Sequence, residues 1–350
     1  MKYILIWFLC YFSFSLQCQT VLNADGQGHT YELINSVFAP NYNVVETPDC
    51  SHPDFGRHIS EIWDSTLNKF VFQFYAHVTP DNDRCIHTDR QRTEIKTYDK
   101  SPEKLIGRMG ETVVYRWKFK LDQRFKPSKK FTHLHQLKAV GGTEHSIPQI
   151  TLTARKGNPD RLELRYAEHS SSTTLKSINL AHLKGFWVEC VETVTFGEQG
   201  SYHIQLMRLI DQSVILDYKD DAIRMWKSGA EFIRPKWGIY RSLLFSNDLR
   251  DEIVLFSDFS IEELTPNPTI FPSAQKIGVY PNPVSNQLYI KGKDLVKSVK
   301  LFSLQGVLIL EQPIFGNENY ISVENIPKGI YLIEIFSFHE QVDWFKIVVN

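Results

Sequence analysis

The sequence predicts an all-β chain, a jelly-roll β-sandwich followed by a smaller β-sandwich. Between about residues 31 and 264, seven segments alternate apolar and polar side chains: KFVFQFYAHV, TVVYRWKFKL, QITLTAR, RLELRYAE, WVECVETVTF, SYHIQLMRLI and EIVLFSDFSIEEL. This period of two, with Gly, Pro and Asp turns between the segments, is typical of antiparallel strands. Helical signal is confined to the stretches 221–227 and 101–105. So many strands suit a large jelly roll in which one curved sheet forms a cleft.

Two segments divide the chain into domains. Residues 1–19 hold one Lys, an apolar run and a polar break, which predicts a secretory signal peptide. The alternative is a membrane anchor, but the run is short against the roughly 20 apolar residues of a spanning helix. The Pro-rich stretch TPNPTIFPSAQ, residues 265–275, is interpreted as a linker. The expected domains are therefore the β-sandwich at 20–264 and a second module at 276–350.

Three cysteines lie outside the leader and Cys18. Cys50 and Cys85 lie in polar, turn-like stretches, whereas Cys190 lies in the apolar run FWVECVETV. An exported chain with three thiols can form one disulfide. We expect a bond between Cys50 and Cys85 and a buried Cys190, and the spacing of the cysteines does not indicate a zinc site.

The formal net charge is −1, so any attraction for an anionic partner must be local. The sequence has no run of basic residues interleaved with aromatics, and we expect no nucleic-acid partner. We expect the protein to be a monomer.

Three short strands carry chargeable residues on one face. They are RTEIK, HLHQLK and KWGIY, beginning at Arg92, His133 and Lys236. Side chains at i, i+2 and i+4 share a face of a strand, which aligns Arg92 with Glu94 and Lys96, and Lys236 with Gly238 and Tyr240. A face of this composition is poorly suited to a core and well suited to an acidic polymer.

In order and alternation, these strands resemble the three signature strands of the jelly-roll polysaccharide lyases. The alginate-lyase type has RTELR, QIH and YxKxGxY patterns, and the glucuronan-lyase and heparin-lyase-I groups have looser ones. The resemblance covers about residues 70–244 and implies β-elimination on a uronate polysaccharide, without redox chemistry or a required cofactor. That reaction needs neutralisation of the uronate carboxylate, a base for the C5 proton and an acid for the departing O4.

The resemblance assigns roles to individual residues. The catalytic candidates are Tyr240, His135, Arg92 and Gln136, with Tyr240 in proton transfer and Arg92 at the uronate. The candidates for substrate contact are Lys236, Glu94, Lys96, His133, Lys138 and Tyr166. Glu94 is expected to orient neighbouring cations, and Gly238 to allow close approach of the sugar chain. Lys96 and Arg234 depart from the pattern, which has Arg and Tyr there.

The middle strand allows two registers. Either His133 and His135 face the cleft, or Gln136 and Lys138 do, since a shift of one residue exchanges the faces. A bulge at Gly141 and Gly142 would bring residues of both sets to the site. We favour His135 as base or carboxylate partner and Gln136 as the neutralising group.

The C-terminal module contains YPNP, LQG, PKGIYLIEI and a final KIVV in that order. It resembles the C-terminal sorting domain of the type IX secretion system of Bacteroidetes. The resemblance implies that the secretion machinery is a partner and that the protein is secreted or held at the outer-membrane surface. An ordinary carbohydrate-binding β-sandwich is the alternative.

Other interpretations remain open for the first domain. A glycoside hydrolase needs two carboxylates near the scissile bond, and no strand has an ExDxE pattern. A non-catalytic glycan-binding module would usually present an aromatic platform.

Individual candidate residues also have alternative interpretations. Arg92 and Glu94 could be a surface ion pair, the histidines could be surface residues, and Tyr240 could be a packing residue beside Trp237. Arg155 and Arg165 lie on strands that border the predicted cleft or are ordinary surface. The loop Thr79–Cys85 offers calcium oxygen ligands, or it is an Asx-rich turn beside the disulfide.

Overall fold

A computed structural model describes residues 19–264, 278–291, 296–314, 320–337 and 342–350. The predicted leader up to Cys18 and the predicted linker lie outside these residues. Contacts divide the chain into two units, Met1–Asn267 and Pro268–Asn350. Among the described residues, no helix is long and apolar enough to cross a membrane.

The first unit is a sandwich of two antiparallel sheets, which confirms the predicted all-β jelly roll. The eight-stranded sheet has the order β13 (Ser213–Ile223), β12 (Gly200–Arg208), β11 (Trp187–Thr195), β6 (Thr112–Leu121), β15 (Glu252–Leu264), β4 (Lys69–Ala76) and β3 (Ile59–Asp64), and β1 (Thr20–Leu22) pairs with β15. The seven-stranded sheet has the order β10 (Thr173–Asn179), β9 (Arg161–Tyr166), β8 (Ile150–Arg155), β7 (Thr132–Val140), β14 (Phe232–Ser242), β5 (Arg90–Lys96) and β2 (Val45–Glu46).

Large aromatic side chains from both sheets meet in the core between them. Trp237 of the seven-stranded sheet is fully buried, and its ring centroid lies 5.9 Å from that of Trp117 and 5.2 Å from that of Phe259. Burying this much aromatic surface is a main stabilising term for such a fold. Because side chains alternate between the two faces of a strand, the residues between these core positions in β5, β7 and β14 face outward.

The helical predictions are partly wrong. The stretch 101–105 contains a 3-10 turn, Glu103–Leu105, but 221–227 continues β13 to Ile223 and then leaves regular structure. The described residues also include one α-helix that was not predicted, α1 (Thr30–Phe38). Its buried residues, Thr30, Ile34 and Phe38, recur every four positions and so lie on one helix face. Phe38 stacks on Trp237.

The second unit contains two small antiparallel sheets. One is formed by β16 (Gly278–Tyr280), β17 (Gln287–Lys291) and β20 (Tyr320–Ser322), and the other by β19 (Leu308–Pro313), β18 (Val296–Ser303), β21 (Gly329–Ser337) and β22 (Val342–Val349). It has its own hydrophobic cluster, which includes Leu288, Val299 and Ile333.

Candidate active site

The outward side chains of β5, β7 and β14 form one charged surface, here called the outer face. Because β14 pairs with β5 without a shift, Tyr240 lies opposite Arg92, and Lys236 opposite Lys96. On its other side β14 pairs with β7, which places Tyr240 opposite His133 and Lys236 opposite Gln136. The three sequence stripes therefore do converge on a single surface.

Three buried carboxylates lie beneath the cations of the outer face. Glu94 is fully buried and accepts bonds from Arg92, from Lys236 Nζ at 2.6 Å and from Gln136. Its carboxylate thus holds one residue from each of the three strands, the orienting role expected for it.

The other two carboxylates come from distant segments. Glu46 pairs with Lys236 at 2.5 Å and with Lys96 Nζ at 2.8 Å. Asp83 accepts a 2.8 Å bond from Arg92 Nε. Arg84 contacts both Glu46 and Asp83, at 2.8 and 2.9 Å.

The charges of this cluster set its protonation states. Burial alone would raise the pKa of Glu94, but Lys236 and Arg92 outweigh it and lower that pKa. Glu46 behaves in the same way, with Lys236, Lys96 and Arg92 lowering its pKa. Burial lowers the pKa of Lys236 to about 8, against the opposing charge of Glu94. The carboxylates are therefore ionised at neutral pH.

Arg92 supports the side chain of Tyr240. Its Nε and Nη2 donate to Asp83 and its Nη1 to Glu94, and it is only 9% exposed. The guanidinium lies 3.7 Å from the centroid of the Tyr240 ring, a cation–π contact. Its donors face carboxylates, so the direct uronate contact expected for Arg92 is replaced by a positioning role and a positive charge beside Tyr240.

Tyr240 is a protonated phenol held among cations. Its hydroxyl accepts a 3.1 Å bond from Arg90 Nη1. Burial raises the pKa of Tyr240, and the charge of Arg92 and the bond from Arg90 oppose that rise. The group can donate a proton, and the nearby cations would stabilise the phenolate left behind.

His133 lies beside Tyr240 on the outer face. Its ring centroid is 5.9 Å from that of Tyr240 and 4.8 Å from that of Phe131, on which it stacks. The Nδ1 atom is 2.8 Å from Thr153 Oγ1, which fixes the ring. Burial lowers the pKa of His133 to about 3, so the imidazole is neutral at neutral pH.

The expectation that His135 is catalytic is wrong. His135 is fully buried, its Nε2 lies 2.8 Å from Glu192 Oε2 on the opposite sheet, and its ring packs 4.4 Å from that of Trp117. It therefore faces the core, and Tyr202 donates a 2.7 Å bond to the same Glu192.

A bulge at Leu134 explains why both predicted registers are partly right. On β8, Thr153 and Leu152 pair with His133 and His135, so Leu134 is the extra residue. The bulge lets His133 share the outer face with Gln136 and Lys138, while His135 turns inward. The bulge lies here and not at Gly141 and Gly142.

Lys138 and Lys96 also lie on the outer face. Lys138 donates a 3.2 Å bond to the Ser146 carbonyl, and burial, with Arg234 and Arg92 nearby, lowers its pKa to about 8. Lys96 lies 4.4 Å over the ring of Tyr98 in addition to its bond to Glu46. Both add positive charge at the end of the face away from Tyr240.

Tyr166 does not reach the outer face. It shares the parity of Leu162 and Leu164, packs against the core, and donates a 2.8 Å bond to the Arg224 carbonyl. The substrate contact predicted for it is wrong, because strand alternation turns it toward the opposite sheet.

Gly238 is needed for the backbone. Its φ is +146°, and a Cβ there would lie 2.1 Å from the Thr93 carbonyl oxygen of β5. The close approach that it permits is therefore between two strands, which places Tyr240 against Arg92, and not the approach of a sugar expected from the sequence.

A groove of about 210 Å³ opens beside His133. Its lining includes Lys130, Thr151, Arg155 and Arg165. Arg155 and Arg165 share Glu163, at 3.2 and 3.0 Å. The groove extends the positive surface away from the Tyr240–His133 pair, as the bordering-strand interpretation expected.

Sequence reasoning missed several residues of the site. Arg90 and Arg234 continue the period-two stripes of β5 and β14 by one step. Arg90 could have been found by extending the stripe, whereas the sequence marks Arg234 only as a departure from the lyase pattern. Arg234 is 7% exposed, lies 4.8 Å from the Tyr98 ring, and its Nε and Nη1 have no hydrogen-bond partner among the described residues. Glu46 carries no local signal, since its partners Lys96 and Lys236 lie far away in sequence. Asp83 lies in a polar loop outside the period-two stripes, although its partners Arg84 and Arg92 are near in sequence.

Cys50 and Cys85 form a disulfide, the pair expected from the sequence, and Cys190 is a free buried thiol. In the loop Thr79–Cys85, Asp81 contacts histidines, Asp83 contacts arginines and Asn82 caps the Cys85 amide at 2.7 Å. Calcium binding by this loop stays a prediction.

Comparison with known proteins identifies the second unit. Residues 278–350 match the family model of the secretion system C-terminal sorting domain, which indicates export through that system. No curated protein matches the chain.

Several solved structures resemble the fold. An alginate lyase from Aplysia kurodai has 14% identity and a TM-score of 0.48, covering 70% of this chain and 98% of that one. An endo-β-1,4-glucuronan lyase from Trichoderma reesei has 13% identity and a TM-score of 0.43, covering 58% and 86%. An alginate lyase from Pseudomonas aeruginosa has 12% identity and a TM-score of 0.42, covering 63% and 96%.

Proposed function

We propose that residues 20–264 form a lyase that cleaves a uronate-containing polysaccharide by β-elimination. The observation that carries this proposal is the pair formed by the Tyr240 phenol and the neutral His133 imidazole, set side by side among cations on an accessible sheet face. One group can accept a proton and the other can donate one.

The reaction assigns a direction to this pair. His133 accepts the C5 proton, the electrons of the C5–H bond form the C4–C5 double bond, and the C4–O4 bond breaks. Tyr240 then protonates O4, and the proton on His133 restores the phenol. Proton transfer by positioned groups of this kind contributes about 10²–10⁴-fold to a rate. The step needs no water, oxidant or metal ion.

Positive charge supplies the remaining requirement. The C5 proton becomes acidic only when the adjacent carboxylate is neutralised, an electrostatic contribution that is often the largest in catalysis. Arg90 and Arg92 lie at Tyr240, and Arg155 and Arg165 line the groove beside His133. Arg234, on the same face of β14, adds a further positive charge beyond Lys236.

The same surface disfavours hydrolysis. A glycosidase needs a carboxylic acid that is protonated near neutral pH, with a second carboxylate beside it. Glu46, Asp83 and Glu94 all have lowered pKa values and are covered by cations. A purely binding module would not need the Tyr240–His133 arrangement.

The substrates to test first are glucuronan and alginate, the polymers of the families whose signature strands resemble those of this chain. We further propose that the leader and the sorting domain deliver the enzyme, as a monomer, to the medium or the cell surface, where such polymers occur.

The test is incubation of the protein with glucuronan, alginate and glycosaminoglycans while ultraviolet absorbance of the unsaturated uronate is followed. We expect a steady increase with one or more of these polymers. New reducing ends without that absorbance would establish a hydrolase, and retention of a polymer without cleavage would establish a binding protein. Either result would overturn the proposal.

A further inference from the structure

A second cluster of chemically capable side chains lies near the disulfide. His52 Nδ1 and His58 Nε2 lie 2.9 and 3.1 Å from Asp81 Oδ1. His77 Nδ1 lies 3.1 Å from Asp81 Oδ2. The four potential ligand atoms are all within 4.8 Å of one another.

The cluster is assembled from three separate parts of the chain. His52 lies in the loop before β3, His58 directly precedes β3, and His77 directly follows β4. Asp81 lies in the next loop and, with His58, is almost fully buried. The Phe55 ring covers the group, 4.3 Å from the centroid of His77 and 4.8 Å from that of His58.

The surroundings of His58 leave Nε2 as its ligand atom. Its Nδ1 lies 2.8 Å from Asp49 Oδ1 and 3.0 Å from the Gly56 carbonyl, which makes Nδ1 the protonated nitrogen. Asp49 is itself fixed by a 2.9 Å bond from the Tyr31 hydroxyl. A carboxylate behind a ligating histidine in this manner is the usual support of a metal site, because it sets the tautomer and the ring orientation.

We propose that His52 Nδ1, His58 Nε2, His77 Nδ1 and the Asp81 carboxylate bind one Zn²⁺ ion. Three imidazoles with one carboxylate suit zinc and related transition ions, whereas calcium and magnesium favour oxygen ligands. Ligands about 2.0–2.1 Å from a tetrahedral zinc lie about 3.3 Å apart, close to the His–Asp separations here. Four protein ligands complete the coordination, so the site is structural.

The ion would support the outer face through a short connection. Asp83, two residues after Asp81, holds Arg92 at 2.8 Å, and Arg92 in turn packs on Tyr240. In addition, Gln91 donates a bond to the His77 carbonyl. Zinc would thus fix the loop that positions Arg92 while contacting neither substrate nor the reacting groups.

The experiment is metal analysis and Zn²⁺ titration of the full mature chain, purified without a polyhistidine tag. We expect about one zinc per chain after dialysis and a dissociation constant below about 1 µM, typical of a complete four-ligand site. Co²⁺ in place of zinc should give the intense visible bands of tetrahedral coordination, a readout that does not depend on any variant.

Three variants test which residues bind and support the zinc ion. His77→Ala should weaken zinc binding at least 100-fold, Asp49→Asn by 10–100-fold, and the exposed His182→Ala should leave it unchanged. A wild-type chain that retains no zinc and whose melting temperature does not respond to Zn²⁺ would show that the cluster is a metal-free hydrogen-bond network. Octahedral Co²⁺ spectra, or His77→Ala binding as wild type, would also overturn the assignment.

Discussion

Buried charged residues set the position of Tyr240. Arg92 is held by Asp83 and Glu94 from below and presents its flat side to the Tyr240 ring. A buried ion pair gains little net stability over an apolar pair, but loss of one partner costs about 3–5 kcal/mol because a charge is left buried. Because the cluster adds little net stability, we interpret its role as the orientation of Tyr240.

Removal of one hydroxyl tests the role of Tyr240. Tyr240→Phe should lower kcat by about 10²–10⁴-fold and leave KM nearly unchanged, because the ring and its contact with Arg92 are kept. The matched control is Tyr166→Phe, which loses a hydroxyl bonded to the Arg224 carbonyl on the other face of the sheet. That control should keep the wild-type rate. Near wild-type turnover in Tyr240→Phe would transfer the proton-donating role to another group.

The two histidines of β7 should separate chemistry from stability. His133→Gln should lower kcat by about 10²–10⁴-fold with little change in the unfolding free energy, since the residue is half-buried at the surface. His135→Gln should instead destabilise the fold by about 1–3 kcal/mol, because it disturbs a fully buried hydrogen bond to Glu192. Denaturant unfolding and steady-state kinetics on both variants check this. The reverse pattern would return His135 to the site.

The lowered pKa of Lys138 predicts how substrate affinity depends on pH. The ammonium loses its charge as pH rises through about 8, so KM for a polyuronate should increase above that pH. Lys138→Arg keeps the charge and should reduce this increase, although Lys236, whose pKa is also lowered to about 8, still titrates. Lys219→Arg, at an exposed site beside Asp221, is the control. Identical KM–pH profiles for all three proteins would exclude Lys138 from substrate binding.

At the scale of elements, two irregularities in neighbouring strands create the site. The bulge at Leu134 rotates β7 so that His133, Gln136 and Lys138 face the same side. In β14, the glycine conformation at Gly238 allows contact with Thr93. The Tyr240–His133 pair forms where the two irregularities meet.

Most strands could be predicted, because burial on one face leaves a period-two pattern. β6 and β15 have the bounds read from TVVYRWKFKL and EIVLFSDFSIEEL. The position of the bulge could not be predicted, since the inserted Leu134 lies between two histidines and leaves the alternation of apolar and polar residues unchanged there. The nine-residue α1 was missed because its buried positions are few.

The backbone conformation of Gly238 should affect the stability of the paired strands β5 and β14. Gly238→Ala should destabilise the protein by more than the roughly 1–3 kcal/mol of backbone strain, because the added Cβ also meets the Thr93 carbonyl. Gly110→Ala has a positive φ of +90° but no atom within 4 Å of its Cβ, so it should carry strain alone. Denaturant unfolding compares them. Equal losses would mean that β5 and β14 can separate at this point without cost.

At the scale of the molecule, the two units have separate hydrophobic clusters. The first includes Trp117 and Trp237, and the second includes Leu288 and Ile333. The sequence indicated this division through the Pro-rich stretch and the sorting motifs. It indicated Glu94 but not Glu46 or Asp83, because these two join Glu94 beneath the outer face only when the chain has folded.

Separate cores predict that the sorting domain is dispensable for catalysis. A chain that ends at Asn267 retains all of β15, whose last residue, Leu264, pairs with Thr112 of β6, and every residue proposed for the reaction. It should unfold at the melting temperature of the first unit in the full chain and cleave the best substrate with an unchanged kcat/KM. In a native host the same truncation should stop export, because residues 278–350 carry the sorting signal. Calorimetry and kinetics on the purified truncated chain are the measurements, with the full mature chain as the control. A truncated protein that fails to fold, or folds without activity, would show that the second unit completes the first.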